Sequence, residues 1–219
     1  MSRLILAVDT THEYGSLAVA RGQEVLEEVR LHAPTGFAHV LYRHLGELLA
    51  RQELKIAAID CFAAAAGPGS FTGVRVGLAC VKGLAEATGK PAVAVSNLQA
   101  LATFGTAPLR AVVLDARRGE VYGAVYDAAA RLVEPEVVAP FAAWIETLPA
   151  GEMEFVSPDF TLFRAALAGT RFAHIPVRTA PRALAAAIAR LAAVAEPRDP
   201  AALDANYVRR SDAELLWKE

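Results

Sequence analysis

The sequence predicts an α/β fold. Short apolar runs of strand length recur along the chain, and from about residue 38 stretches with helical spacing separate them. With 54% hydrophobic residues in a chain of 219, there is enough apolar surface for a sizeable core, in one large domain or two small lobes.

In chain order, Leu4 to Val8, Ser16 to Ala20 and Val25 to Leu31 are three strand-length runs joined by short turns, as in an antiparallel meander. The period then changes. Leu41, Leu45, Leu48 and Leu49 recur at helical spacing and predict an amphipathic helix from about Ala38 to Gln52. Ile56 to Ala66 predicts a strand, and Phe71 to Thr88 a long helix that Gly89 and Pro91 end. Ala92 to Val95 follows as a strand, and Ser96-Asn97-Leu98-Gln99 has the capping-box pattern of a further helix. Near residue 108 a second meander begins, with Ala111 to Leu114 and Val121 to Tyr126 flanking a charged turn. Beyond it the pattern weakens. Val137-Val138, Phe155-Val156 and Phe172 to Val177 are strand candidates, while Phe141 to Leu148, Thr161 to Ala168 and the alanine-rich Pro181 to Ala195 read as helices. The expected domains are residues 1–107 and a smaller lobe at 108–219.

Formal net charge is −2, from 22 basic and 24 acidic residues, so the surplus of positive charge that marks a stand-alone nucleic-acid binder is missing. Cys61 and Cys80 lie in apolar stretches without metal or redox spacing and are expected as buried thiols. The first residues, MSRLILAVDTT, hold too short an apolar run for a signal sequence or membrane span, and the expected location is cytoplasmic.

The run Gly67-Pro68-Gly69-Ser70-Phe71-Thr72-Gly73 joins a strand to a helix, a setting that suits phosphate oxygens. It nevertheless lacks the lysine of a P-loop and the spacing of a dinucleotide fingerprint. The alternative is packing. Gly69, Gly73 and Gly77 are four apart and would line one helix face beside Val74, Leu78 and Val81, a surface suited to close helix contact. Packing is the reading the spacing favours. Asp9-Thr10-Thr11, ending the first strand, is a candidate phosphate-facing turn together with Gly67, Gly69 and Ser70, or a simple turn. His39 and His44 are five apart, about 140° round a helix, so they do not form a metal pair. Asp115-Ala116-Arg117-Arg118-Gly119-Glu120 reads as a charged hairpin rather than a catalytic loop, and no nucleophile with its base stands out, so no catalytic residue is assigned.

Taken together, ILAVDTT, the leucine helix with His39, GPGSFTGVRVG, VSNLQALA, DARRGEVYGAVY and NYVRRSDAELLWKE stand in the order of one family and span the chain. The sequence resembles the TsaB (YeaZ) family, shortened paralogues of the TsaD subunit in the ASKHA, or actin-like ATPase, superfamily. The resemblance implies two ribonuclease H-like lobes, the second reduced, and a C-terminal helix that packs back on the first lobe. It also implies a non-catalytic scaffold for transfer of a threonylcarbamoyl group to the tRNA adenosine beside the anticodon. TsaD and the ATPase TsaE would be the partners, with ATP and metal on them, no cofactor held stably by this chain and tRNA reached through the complex. Isolated members can pair with themselves through the surface used for TsaD.

That surface, carried onto this sequence, would comprise His39, Leu41, Leu45 and Leu48 on one helix, and Gly69, Phe71, Gly73, Val74, Arg75, Gly77 and Leu78 around the next. Thr11 stands where the family commonly has serine, and Gly15-Ser16 where Cys-Ser is commoner. Two other readings remain at this stage: a stand-alone ASKHA ATPase or phosphotransferase, and a metalloprotease-like protein, which the missing histidine pair disfavours.

Overall fold

The structure, a computed structural model, describes residues 2–208. Its first sheet is built on Leu4–Asp9 (β1), which pairs antiparallel with Tyr14–Arg21 (β2), itself antiparallel to Glu24–His32 (β3). On its other side β1 runs parallel to Cys61–Gly67 (β4), and β4 to Ala92–Ser96 (β5), giving the order β3-β2-β1-β4-β5; Asn97–Ala102 (α3) follows β5 in the chain. Every residue of β1 and β4 is buried, as continuous apolar runs require when both sheet faces are covered. Leu41–Arg51 (α1) and Phe71–Thr88 (α2) supply Leu41, Leu45, Leu48, Val74 and Val81 to a core shared with Leu6, Val8, Leu17 and Val19. Gly89, in the left-handed conformation, ends α2 as the sequence predicts.

The alternate face of β2 meets Ala185–Val194 (α6), whose small Ala185, Ala187, Ala189 and Ala192 allow close approach to the sheet. This helix has no cap of its own. Instead Ser16 Oγ accepts from the Leu184 and Ala185 amides at 3.1 and 2.9 Å, and Glu28 accepts from Ala186 N at 2.8 Å. Arg3 donates to the last carbonyls, at Ala193 and Ala195. From α6 to Asn206 the chain stays on the same unit: Arg198 and Ala92 exchange backbone bonds, Lys82 binds the Leu203 carbonyl, and Asn206 N donates to Ala66 O.

The second sheet repeats the first. Leu109–Arg117 (β6), Glu120–Asp127 (β7) and Leu132–Pro140 (β8) form its meander, and Met153–Ser157 (β9) and Val177–Thr179 (β10) its parallel strands, in the order β10-β9-β6-β7-β8. That is the ribonuclease H-like order a second time. The reduction lies in the helices: Phe141–Glu146 (α4) and Thr161–Arg164 (α5) replace helices of 11 and 18 residues. An aromatic cluster of Phe141, Phe155, Phe160, Phe163 and Phe172 fills the core instead.

The described residues divide into units at 2–97 with 182–206, and 98–181 with the last two, 207 and 208, differing from the expected division at 107/108. The difference arises because α6 finds its end caps and its apolar partner on the first sheet, which sequence separation conceals. Three elements also differ locally. Ile56–Ala58 is a 3₁₀ turn rather than strand, because Asp60 binds both the amide and the carbonyl of Leu4 and so fixes where β4 begins. Phe172 is drawn into the aromatic core, leaving only Val177–Thr179 as strand, and α6 starts at Ala185 rather than Pro181. The expected C-terminal helix falls almost wholly in residues 209–219, outside the described residues.

Candidate functional site

The turn after β1 and the loop before α2 form one hydrogen-bonded unit. Asp9 Oδ1 accepts from Thr11 N at 3.0 Å and Thr11 Oγ1 at 2.6 Å. Asn97 then bridges the two segments: its Nδ2 donates to Thr11 Oγ1 at 2.6 Å, and its Oδ1 accepts from Gly67 N at 2.9 Å. Ser70 N donates to Thr11 O at 2.7 Å, Gly73 N to Ser70 Oγ at 3.3 Å, and Thr10 Oγ1 donates to Gly73 O at 2.7 Å. The sequence-predicted phosphate-facing residues Asp9, Thr10, Thr11, Gly67, Gly69 and Ser70 are therefore together. The Gly67, Ser70 and Gly73 amides that a phosphate would use are, however, already bonded within the chain. Burial pushes the Asp9 carboxyl up to about 6, against the pull of its bonds from Thr11.

The glycine stripe is absorbed by the same contact. A Cβ at Gly69 would lie 2.6 Å from Thr11 O, one at Gly77 2.6 Å from Thr10 Oγ1, and one at Gly73 would overlap Thr10 O. The stripe thus seats α2 on its own β1–β2 turn, where a partner helix was expected. Leu41, Leu45, Leu48, Val74, Gly77 and Leu78 are likewise buried in this unit, because the apolar face of each amphipathic helix goes to the sheet first.

Of the expected contact residues, His39, Gly69, Phe71 and Arg75 are exposed. Phe71 is 41% exposed and carries the Arg75 guanidinium 3.7 Å above its ring. Tyr42, which the sequence reading missed, is 60% exposed on α1. Its position off the Leu41–Leu45–Leu48 stripe was the available signal. Burial pushes both Cys61 and Cys80 thiols up to about 11. His44 pairs with Glu47 at 3.1 Å, and among the described residues no three His, Cys, Asp or Glu side chains gather to hold a metal.

In the second unit, the Asp115–Glu120 hairpin turns through Arg118 and Gly119, both at positive φ, with Arg117 N on Asp115 Oδ1 at 2.7 Å. Arg117, Arg118, Phe141, Leu162 and Phe163 line an open groove there of about 580 Å³.

The family model described as "TsaD: tRNA N6-adenosine threonylcarbamoyltransferase" matches residues 32–202. The tRNA threonylcarbamoyladenosine biosynthesis protein TsaB of Bacillus subtilis is 30% identical over 98% of both chains. The chain belongs to the TsaB family. The solved structure of YeaZ from Pseudomonas aeruginosa, at 26% identity, superposes with a TM-score of 0.77 over 94% of this chain and all of that one. Component A of the (R)-2-hydroxyglutaryl-CoA dehydratase of Acidaminococcus fermentans, 10% identical with a TM-score of 0.54, shares the fold alone. Among the described residues no helix is long and apolar enough to cross a membrane.

Proposed function

We propose that the chain acts in tRNA threonylcarbamoyladenosine biosynthesis as a non-catalytic scaffold that binds a TsaD-type transferase. The observation that carries the role is the full-length match to a TsaB protein. The closed turn supports the non-catalytic part, since Asn97 Oδ1, Thr11 O and Ser70 Oγ accept from the Gly67, Ser70 and Gly73 amides that a nucleotide's phosphates would need. TsaD and a TsaE-type ATPase supply nucleotide and metal, and tRNA is modified in the complex, in the cytoplasm. The surface offered to TsaD is the outward side of α1 and α2, with Tyr42, Phe71 and Arg75 at its centre and His39 at its edge. In isolation the same side pairs two copies of the chain.

An exposed aromatic pair with an arginine is the composition of an interface centre. The test is complementation: the chain is expressed with its TsaD and TsaE in cells lacking their own TsaB, and threonylcarbamoyladenosine in tRNA is measured by mass spectrometry. Restored modification supports the reading; soluble expression of all three proteins without modified tRNA refutes it.

A further inference from the structure

On the face of the first sheet that meets α6, the sheet ends in a column of aromatic rings. Tyr14 and His32 stand directly opposite on β2 and β3, with ring centroids 4.5 Å apart and planes within 12°. His12 stacks on Tyr14 at 5.9 Å and 15°. The Arg182 guanidinium lies 5.0 Å from the Tyr14 centroid. His12, Tyr14, His32 and Arg182 are all exposed. His12 Nδ1 accepts from Tyr14 N at 3.4 Å, which leaves the ring proton on Nε2 as a donor.

Positive charge accompanies the rings. Arg30 lies two residues from His32 on the same face, paired in register with Ser16. Glu28, the next residue on that face, is engaged at the α6 N-terminus and sits in the field of Arg30 and Arg190. Glu13 is the opposing charge beside the column. Tyr14, at the centre of the column, is 36% exposed.

We propose that the His12–Tyr14–His32 column is a landing site for an unpaired base of RNA, with Arg182 and Arg30 serving the flanking phosphates. Tyr14 stacks between the two imidazoles and holds them in line, so the column offers a base its end rings. Exposed rings next to guanidinium groups are the combination that holds single-stranded nucleic acid, because every base has a face to stack and every linkage a negative charge. Local charge decides the partner here even though the whole chain is slightly acidic. The site takes from the tRNA reading only the class of partner, and it gives this chain a direct contact with RNA rather than one made wholly through other subunits.

The test is fluorescence anisotropy with the full chain alone, titrated into a labelled RNA hairpin with an unpaired loop and into a blunt RNA duplex of equal length. The hairpin should bind more tightly than the duplex, with affinity falling as salt rises. Tyr14→Ala should weaken hairpin binding by about 5- to 150-fold, Tyr14→Phe should retain it, and Arg182→Gln should flatten the salt dependence. If Tyr14→Ala does not fold by circular dichroism, His32→Ala carries the same expectation. Absence of saturable binding at low salt, equal affinity for the duplex, or ring-less variants binding like wild type would each overturn the proposal. The assay contains no partner protein, so its failure leaves the biosynthetic reading standing, and failed complementation leaves this contact standing.

Discussion

Two glycines in one helix should respond oppositely to alanine. Gly73 and Gly83 both lie inside α2, where alanine is favoured over glycine by about 1 kcal/mol. At Gly83 nothing lies within 4 Å of the added Cβ, so the whole preference is realised. Gly83→Ala should stabilise the chain by about 0.5–1 kcal/mol, raising Tm by roughly 1–4 °C for a chain of this size. At Gly73 the Cβ meets the Thr10 carbonyl, a backbone atom fixed by β1 and by the Ser70 N to Thr11 O bond. Overpacking of this kind costs about 1–3 kcal/mol. Displacing Thr10 also breaks its bond to Gly73 O, worth about 1 kcal/mol. These outweigh the helix preference and leave Gly73→Ala destabilised by about 1–3 kcal/mol, a Tm lower by roughly 2–12 °C. The measurement is urea and thermal unfolding of the purified chain without partner. If Gly73→Ala were as stable as wild type, the stripe would not be seated on the β1–β2 turn and its assignment to internal packing would be wrong.

Further expectations concern the same unit. The folded chain holds a proton on Asp9 more tightly than the unfolded chain, so this residue's contribution makes stability fall as pH rises from about 3.8 to about 6 and level off above. Asp9→Asn should reduce that loss by up to about 3 kcal/mol, seen by comparing urea midpoints of both proteins across this range. Ser16→Ala removes both amide bonds at the start of α6 and should cost about 0.5–2 kcal/mol, with hydrogen exchange rising first in α6. Leu48→Ala, at a side chain with 0% exposure, should cost about 2–5 kcal/mol in the same unfolding assay. Cys61 and Cys80 should resist a thiol reagent in the native chain and react on denaturation, because burial holds both as neutral thiols.

The order of elements was legible because the sequence announces it locally. The continuous runs of β1 and β4, the leucine spacing of α1 and the Gly89 stop are signals within a few residues, and the second meander repeats the first. The contents of the site were less legible. Glycine spacing indicated close packing at Gly69, Gly73 and Gly77 without saying against what, and the answer lay about 60 residues upstream at Thr10 and Thr11. Asn97, read as part of a helix cap, proved to be the bridge between both loops, which only tertiary structure could reveal. The leucines chosen for a partner surface are the ones the sheet claims, so the exposed positions between them, led by Tyr42, carry the candidate surface. The attachment of α6 to the first sheet depends on bonds from Ser16, Glu28 and Arg3 that span more than 150 residues.

Isothermal titration of the chain against its TsaD tests the account most directly. Wild type should form a stable heterodimer, and Tyr42→Ala combined with Phe71→Ala should weaken it at least tenfold, about 1.4 kcal/mol or more, while the variant's melting temperature stays near that of wild type. Absence of association by the wild-type chain, or a double variant that binds as tightly, would contradict the claim that this face of α1 and α2 is where the chain meets its transferase.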